Sequence, residues 1–287
     1  MPISLEEIKK FWPDKAPDIN SVEKYVSKYE KERIVIKYGG NVLIDRNVFN
    51  NFISDINVLN KLGLSIIVVH GGGPRIKREL EKKKIISKFI NGLRVTDKNI
   101  IDTVEKVLID FNNDIVNSLK KLGSDATSFH TKKNNIIEVE PEREELGFVG
   151  VPKQINTNLI EDSINSNKIP IIAPLGIGKD KQTFNINGDT AASAIAKKLR
   201  SRRLILMTNV EGVYDDQKKL ISEIKPFDLE NLIKWKVVQG GMIPKIENCV
   251  DAVQNGVRGV VILDGRKPHS ILHEIFSDKG SGTLIRE

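Results

Sequence analysis

An α/β fold is predicted for this chain: a three-layer αβα sandwich around a mainly parallel open sheet, with an N-terminal helical extension. Three observations predict it. Five apolar runs, Arg33–Tyr38, Ser65–His70, Ile169–Leu175, Arg203–Asn209 and Gly259–Asp264, are nearly continuous and rich in β-branched residues. Strands buried on both faces read this way, whereas half-exposed strands alternate. Longer amphipathic stretches separate the runs, which argues for strand–helix alternation and a parallel sheet. Glycine turns, Gly39-Gly40 and Gly71-Gly72-Gly73, follow the first two runs directly. That is where an open parallel sheet places its ligand crevice.

Taken in order, residues 1–30 form a part of their own. Pro13 and Pro17 break a first helix containing Leu5, Ile8, Phe11 and Trp12, and a second helix carries Ile19, Val22, Val26 and Tyr29 on one face. This apolar stripe must be covered, either by the chain's own domain or by another subunit. Helices are predicted over Asn47–Leu62, Pro74–Lys84, Lys98–Leu122, Asn158–Asn167, Asp189–Leu199, Asp228–Trp235, Pro244–Gly256 and His269–Phe276. In the longest, Leu108, Ile115, Val116 and Leu119 line one face. Ala126–Asn156 mixes polar and β-branched residues and reads as hairpins or a lid. The polar segment Gly176–Gln182 marks a boundary, giving an N-terminal extension (1–30), a first lobe (31–176) and a second lobe (177–287).

Composition narrows the function. The chain has 287 residues, with 39% apolar and 29% charged, enough for one large or two modest domains. No apolar run approaches the roughly 20 residues of a membrane helix, and Met1–Lys10 has no signal-peptide core. The single Cys249 forms no internal disulfide, and four histidines offer no zinc pattern. His269 and His273 read as surface or helix-end residues. A reducing, cytoplasmic setting follows. The net charge of +7 is spread along the chain, without a nucleic-acid-binding motif. The densest run, Arg75–Lys84, also carries Glu79 and Glu81 and reads as a solvated helix face, with binding of small anions as the other reading of that charge.

The chemistry lies in glycine turns paired with fixed cations. Lys37 stands just before Gly39-Gly40, and Lys245 follows Gly240-Gly241 at the start of a helix. The helix dipole disfavours a cation there, which hints at an anionic partner. Pro74 suits the first position of a helix whose positive end faces the crevice. Asp189 is either a helix cap or the residue that holds two lysines apart and aligned. Exposed backbone N–H groups with fixed cations are what a transferring phosphoryl group needs. Neither a P-loop nor a Gly-x-Gly-x-x-Gly pattern is present.

Six segments, in order, resemble the acetylglutamate kinase branch of the amino acid kinase family. They are Ile36-Lys37-Tyr38-Gly39-Gly40-Asn41, Val68-Val69-His70-Gly71-Gly72-Gly73-Pro74, Gly92-Leu93-Arg94-Val95-Thr96-Asp97, Asn185-Ile186-Asn187-Gly188-Asp189-Thr190-Ala191-Ala192, Thr208-Asn209-Val210-Glu211-Gly212-Val213 and Gly240-Gly241-Met242-Ile243-Pro244-Lys245. The resemblance spans about residues 32 to 286. It departs at Asn209, where the family usually has Asp, at Gly188, usually Ala, and at Ser124–His130, usually a glycine-rich segment.

The resemblance implies transfer of the γ-phosphoryl of ATP, carried with Mg²⁺, to the side-chain carboxylate of N-acetyl-L-glutamate. It assigns Lys37, Lys245 and Asp189 to catalysis, and Gly72, Gly73, Arg94 and Asn185 to the acceptor. Gly39, Gly40, Thr208, Asn209 and Gly212 go to the nucleotide. The N–H groups of Gly40, Gly72 and Gly73 are expected to hold phosphoryl and acceptor oxygens. Residues 1–30 and the tail His273-Glu274…Lys279-Gly280-Ser281-Gly282-Thr283 are similar to those of arginine-inhibited members. A homo-oligomer, a hexamer built as a trimer of dimers, with arginine as inhibitor, is therefore expected. The alternatives are a kinase for another carboxylate, such as an aminoadipate derivative, and a non-catalytic amino-acid sensor.

Overall fold

The computed structural model describes residues 4–39, 45–240 and 242–287. Gly40, Asn41 and Gly241 lie outside them. The central sheet runs in the order β12 (Glu223–Ile224), β14 (Gly282–Ile285), β13 (Val260–Asp264), β11 (Arg203–Thr208), β1 (Arg33–Tyr38), β2 (Ser65–His70), β8 (Ile169–Ile172), β5 (Ala126–Phe129). From β13 to β5 all neighbours are parallel, while β14 is antiparallel to β13 and parallel to β12.

Side chains alternate across each strand, and both faces are covered. Ile34, Ile36, Tyr38, Ile66 and Val68 join one core with residues of α3 (Arg46–Lys61), α5 (Lys98–Lys121) and α10 (Ser270–Ile275). Val35, Ile67, Val69, Leu204 and Leu206 join the other with α6 (Thr157–Asn165), α7 (Gly188–Lys198) and α9 (Met242–Gln254). This explains why the strand runs do not alternate, and the three-layer sandwich is borne out. Lys37 shares the face of Val35, so the pleat aims it toward α7. α4 (Gly73–Lys82) and α5 enclose a smaller core around Leu80 and Leu108. α8 (Leu229–Lys234) precedes α9.

In the N-terminal part, α1 (Leu5–Lys9) and α2 (Val22–Lys28) bury Ile8, Val22 and Tyr25 in the first core. The Trp12 ring lies 5.6 Å from that of Phe276. The stripe is thus covered in part by this chain's own core, while Leu5 stays exposed.

One strand differs from its expected bounds. The run Ile169–Leu175 splits at Ala173-Pro174, because proline has no N–H to continue the ladder. β8 ends at Ile172, and β9 (Leu175–Ile177) enters a second sheet ordered β10 (Thr183–Asn185), β9, β6 (Ile137–Pro141), β7 (Gly150–Ile155). The segment 176–182 forms the end of β9 and the turn into β10. The reading of Ala126–Asn156 needs a correction too. Its first residues are β5, an edge strand of the main sheet, and an edge tolerates polar residues that a central strand does not; the remainder contains the β6–β7 hairpin. β3 (Phe89–Ile90) and β4 (Leu93–Arg94) make a separate small hairpin.

His269 is helix-end but not surface. It precedes α10, is buried, and its Nδ1 lies 2.6 Å from Oδ1 of buried Asp55 on α3. Burial pushes the Asp55 carboxyl up to about 6, against the lowering effect of His269 and, more weakly, His273. No helix among the described residues is long and apolar enough to cross a membrane.

Candidate active site

Three residues from three separate elements meet at the carboxyl edge of the sheet. Lys37 comes from the end of β1, Asp189 from the first turn of α7 and Lys245 from the first turn of α9. Lys37 Nζ lies 2.8 Å from Asp189 Oδ1, and Lys245 Nζ lies 2.5 Å from Oδ2. Each carboxylate oxygen therefore takes one ammonium. Local structure leaves Asp189 available for this. The cap of α7 is Asn187, whose Oδ1 accepts from the N–H groups of Asp189 and Thr190 at 2.9 and 3.2 Å. The capping reading of Asp189 is thus replaced by the bridging one. Burial acts to raise its carboxyl, but Lys37 and Lys245 outweigh burial and hold it well below the usual carboxylate range. Gly39 has a steric reason: a Cβ there would stand 2.2 Å from Lys37 Nζ. Any side chain at 39 displaces the ammonium.

Two cavities share Asp189. The smaller, about 190 Å³, is lined by Lys37, Gly71, Gly72, Gly73, Arg94 and Asn185, among others. Arg94 is 8% exposed, so its charge needs partners. It donates to Ser87 Oγ and to the carbonyl of Gly73 at 3.2 Å, and its guanidinium lies 4.7 Å from the Phe89 ring centre. Held this way, it presents its remaining donors in a fixed fork, the geometry that grips a carboxylate. Asn185 ends β10; its Nδ2 donates to Thr96 Oγ1 at 3.4 Å and its backbone N–H to the carbonyl of Phe148 at 2.9 Å. The larger cavity, about 700 Å³, contains Lys245, Asp189, Asn187, Thr190 and Gly240.

The remaining predicted residues sit apart from both linings. Thr208 ends β11, one position beyond the Tyr38–Met207 pair, and donates to Asn209 Oδ1 at 3.3 Å. Gly212, with φ of +151°, lies in the turn that follows, against Thr283. These three share the sheet edge with Gly39 but do not reach the lysine–aspartate bridge. Sequence reasoning missed Asn187, Ser87 and Phe89 as supporting residues. Asn187 carried a readable signal, an Asn two residues before Asp189 at a helix start. Ser87 and Phe89 carried none, because their part depends on how the β3–β4 hairpin folds back on Arg94.

A group of three or more His, Cys, Asp or Glu side chains able to hold a metal is absent among the described residues. Asp189 is already occupied by two cations. A magnesium ion is thus better matched to phosphate oxygens and water than to a protein ligand set.

Residues 32–264 match the amino acid kinase family, and the chain belongs to that family. The resemblance read from its motifs is borne out at finer grain. Its curated relatives include the acetylglutamate kinase of Pelagibacter ubique (strain HTCC1062), 54% identical and covering 98% of both chains. That of Clostridioides difficile (strain 630) is 44% identical, covering 96% of this chain and 98% of its own. Among solved structures, a protein from Streptococcus mutans superposes with a TM-score of 0.74 at 31% identity, covering 89% of this chain and 99% of that one. An N-acetylglutamate synthase from Neisseria gonorrhoeae superposes with a TM-score of 0.84 at 22% identity. There the match covers 93% of this chain and 62% of the other, and it speaks to the fold alone.

Proposed function

We propose that this chain transfers the γ-phosphoryl group of ATP to the side-chain carboxylate of N-acetyl-L-glutamate, in arginine biosynthesis. The products are N-acetyl-L-glutamyl 5-phosphate and ADP. One observation carries this reading: a single half-buried aspartate bridges two lysines, one in each of two adjoining cavities.

The acceptor is already an anion, so no base is required. An oxygen of the carboxylate attacks the γ-phosphorus as the bond to the ADP oxygen breaks. The obstacle is the approach of two anions. At 4 Å, two unit charges repel by about 4 kcal/mol at an effective dielectric of 20. Lys37 faces the acceptor cavity and Lys245 the larger cavity beside it. Together they neutralise charge on the transferring group from opposite sides, and Asp189 fixes their separation. Donors placed in advance in this way are worth several kcal/mol of barrier. Arg94 grips the acceptor's α-carboxylate, Asn185 hydrogen-bonds the same molecule, and the N–H groups of Gly72 and Gly73 hold oxygens. Gly39, Thr208, Asn209 and Gly212 border the nucleotide. When bound with ATP, Mg²⁺ adds charge neutralisation at the phosphates.

Hydroxylamine trapping tests this. With ATP, Mg²⁺ and N-acetyl-L-glutamate, hydroxamate is expected; with free glutamate, none. Signal from neither acceptor, or from an aminoadipate derivative only, overturns the reading.

Arginine inhibition is supported by a third cavity of about 720 Å³ between α2, β12 and the α10–β14 segment. Tyr25, Glu223 and Glu274 line it, and burial pushes the Glu274 carboxyl up although the Ser281 N–H opposes this. A guanidinium would relieve that desolvation. Loss of hydroxamate on adding arginine, with a hexamer in light scattering, is expected of this cytoplasmic enzyme. An arginine-insensitive dimer contradicts this part alone.

A further inference from the structure

We infer that His70 is a positioning residue for the phosphoryl transfer. It fixes the peptide between Gly71 and Gly72 so that the Gly72 N–H is turned into the acceptor cavity, and Asn112 in turn fixes His70. The inference rests on the proposed function, because it takes the small cavity as the place where the acceptor and the transferring group meet.

The hydrogen-bond logic allows one arrangement. Asn112 lies on α5 and is fully buried. Its Nδ2 is 2.9 Å from the carbonyl oxygen of Ile171 and 3.2 Å from His70 Nε2. A carbonyl only accepts, so the amide nitrogen, not its oxygen, must face Ile171. The second Nδ2 hydrogen then points at Nε2, which is therefore the unprotonated ring nitrogen. The ring proton is left on Nδ1, 2.9 Å from the carbonyl oxygen of Gly71, and is donated to it. Among the described residues, Asn112 Oδ1 has no partner. The amide thus keeps the orientation that serves Ile171 and His70 even though its own oxygen goes unpaired. A second ring proton would set an N–H against an NH₂. Burial also pushes His70 down to about 4, so the ring is neutral at physiological pH. The Phe111 ring, edge-on at 5.1 Å, closes the remaining side.

Peptide geometry carries this outward. In a trans peptide the C=O and the following N–H point in opposite directions, and no cis bond occurs among the described residues. Holding the Gly71 carbonyl toward the imidazole turns the Gly72 N–H the other way. Gly71, Gly72 and Gly73 line the small cavity together with Lys37 and Asp189. Three glycines in a row have little to resist rotation of that peptide. The Gly71 N–H is tied to the Tyr38 carbonyl at 2.7 Å, and the Gly71 carbonyl is tied to His70. Through Asn112 and Ile171, the anchor ends on β8 of the main sheet.

The test uses the full chain and the hydroxamate assay. Misplacing one N–H donor at a developing charge is expected to lower kcat about 10- to 100-fold, somewhat less than deleting a donor outright. His70→Phe should show that loss with little change in KM for ATP, while the thermal midpoint falls because the Asn112 amide and the Gly71 carbonyl each lose a partner. His70→Asn should recover most of the rate, since its amide N–H can replace the Nδ1 donor. Asn112→Asp tests the relay without touching the ring and stands in if His70→Phe does not fold. Its carboxylate only accepts, draws the ring proton to Nε2, and leaves an Nδ1 lone pair against Gly71; kcat should fall similarly. An active wild type with His70→Phe within twofold of its kcat overturns this inference alone. So does a His70→Asn variant as impaired as His70→Phe, or an unaffected Asn112→Asp. A wild-type chain that forms no hydroxamate overturns the proposed function and this inference together.

Discussion

Two of this molecule's carboxylates, Asp189 and Asp55, feel burial and respond to it in opposite directions. Asp189 at the sheet edge is held well below the usual carboxylate range; Asp55, on α3 against the start of α10, is pushed up to about 6. Burial acts upward on both. What differs is the positive charge facing them. Asp189 has two ammonium groups, one on each oxygen, while Asp55 has a single close imidazole at 2.6 Å. Two permanent charges overcome desolvation and one titratable neighbour does not. A carboxylate that must stay ionised while anions come and go needs the first arrangement.

Substitutions that remove the pivot should have the largest effect. Asp189→Asn leaves two lysines facing each other, and kcat in the hydroxamate assay should fall at least about 100-fold; retention of more than a tenth of the activity would break the comparison. Arg94→Lys keeps the charge but loses the fork. The KM for the acceptor should rise about 10- to 100-fold, with a much smaller change in kcat.

Asp55 sharpens the contrast through pH. Its folded pKa lies above the unfolded value of about 3.9. The associated stability is therefore fully present below about pH 4 and is lost as pH rises through about 6. In Asp55→Asn this loss, on the order of 1–3 kcal/mol, should disappear from a series of denaturant midpoints. An unchanged pH slope contradicts it. The smallest effect is expected at Cys249, a buried thiol that burial pushes up to about 12. It should resist thiol alkylation at pH 8 in the folded chain, and Cys249→Ala should change kcat less than about twofold.

Much of the scaffold could be read directly. β1, β2, β11 and β13 are continuous apolar runs because both faces of the sheet are covered, and that burial writes itself into each residue. Lys37 and Lys245 stood out because each is a cation where local preference opposes one. β12 and β9 were not legible, since strands of two or three residues carry too little pattern. The break at Pro174 was readable in principle, but the apolar run around it hid the change of sheet. The supporting contacts could not be read at all. Asp55 meets His269 across 214 residues of sequence, and Asn112 meets His70 across 42. Such pairs exist only once helices have been laid on the sheet.

The placement of β1 between β2 and β11 has a consequence in time. During synthesis, residues 33–38 can meet β2 only once residues 65–70 have emerged, and their other edge waits for residues 203–208. At about 5–20 residues per second, making residues 39–202 takes about 10–30 s. Throughout that interval an apolar strand, which will lie at the centre of the finished sheet, is open along one side. Chaperone dependence and a tendency to form inclusion bodies when overproduced are what such an order of assembly leads one to expect.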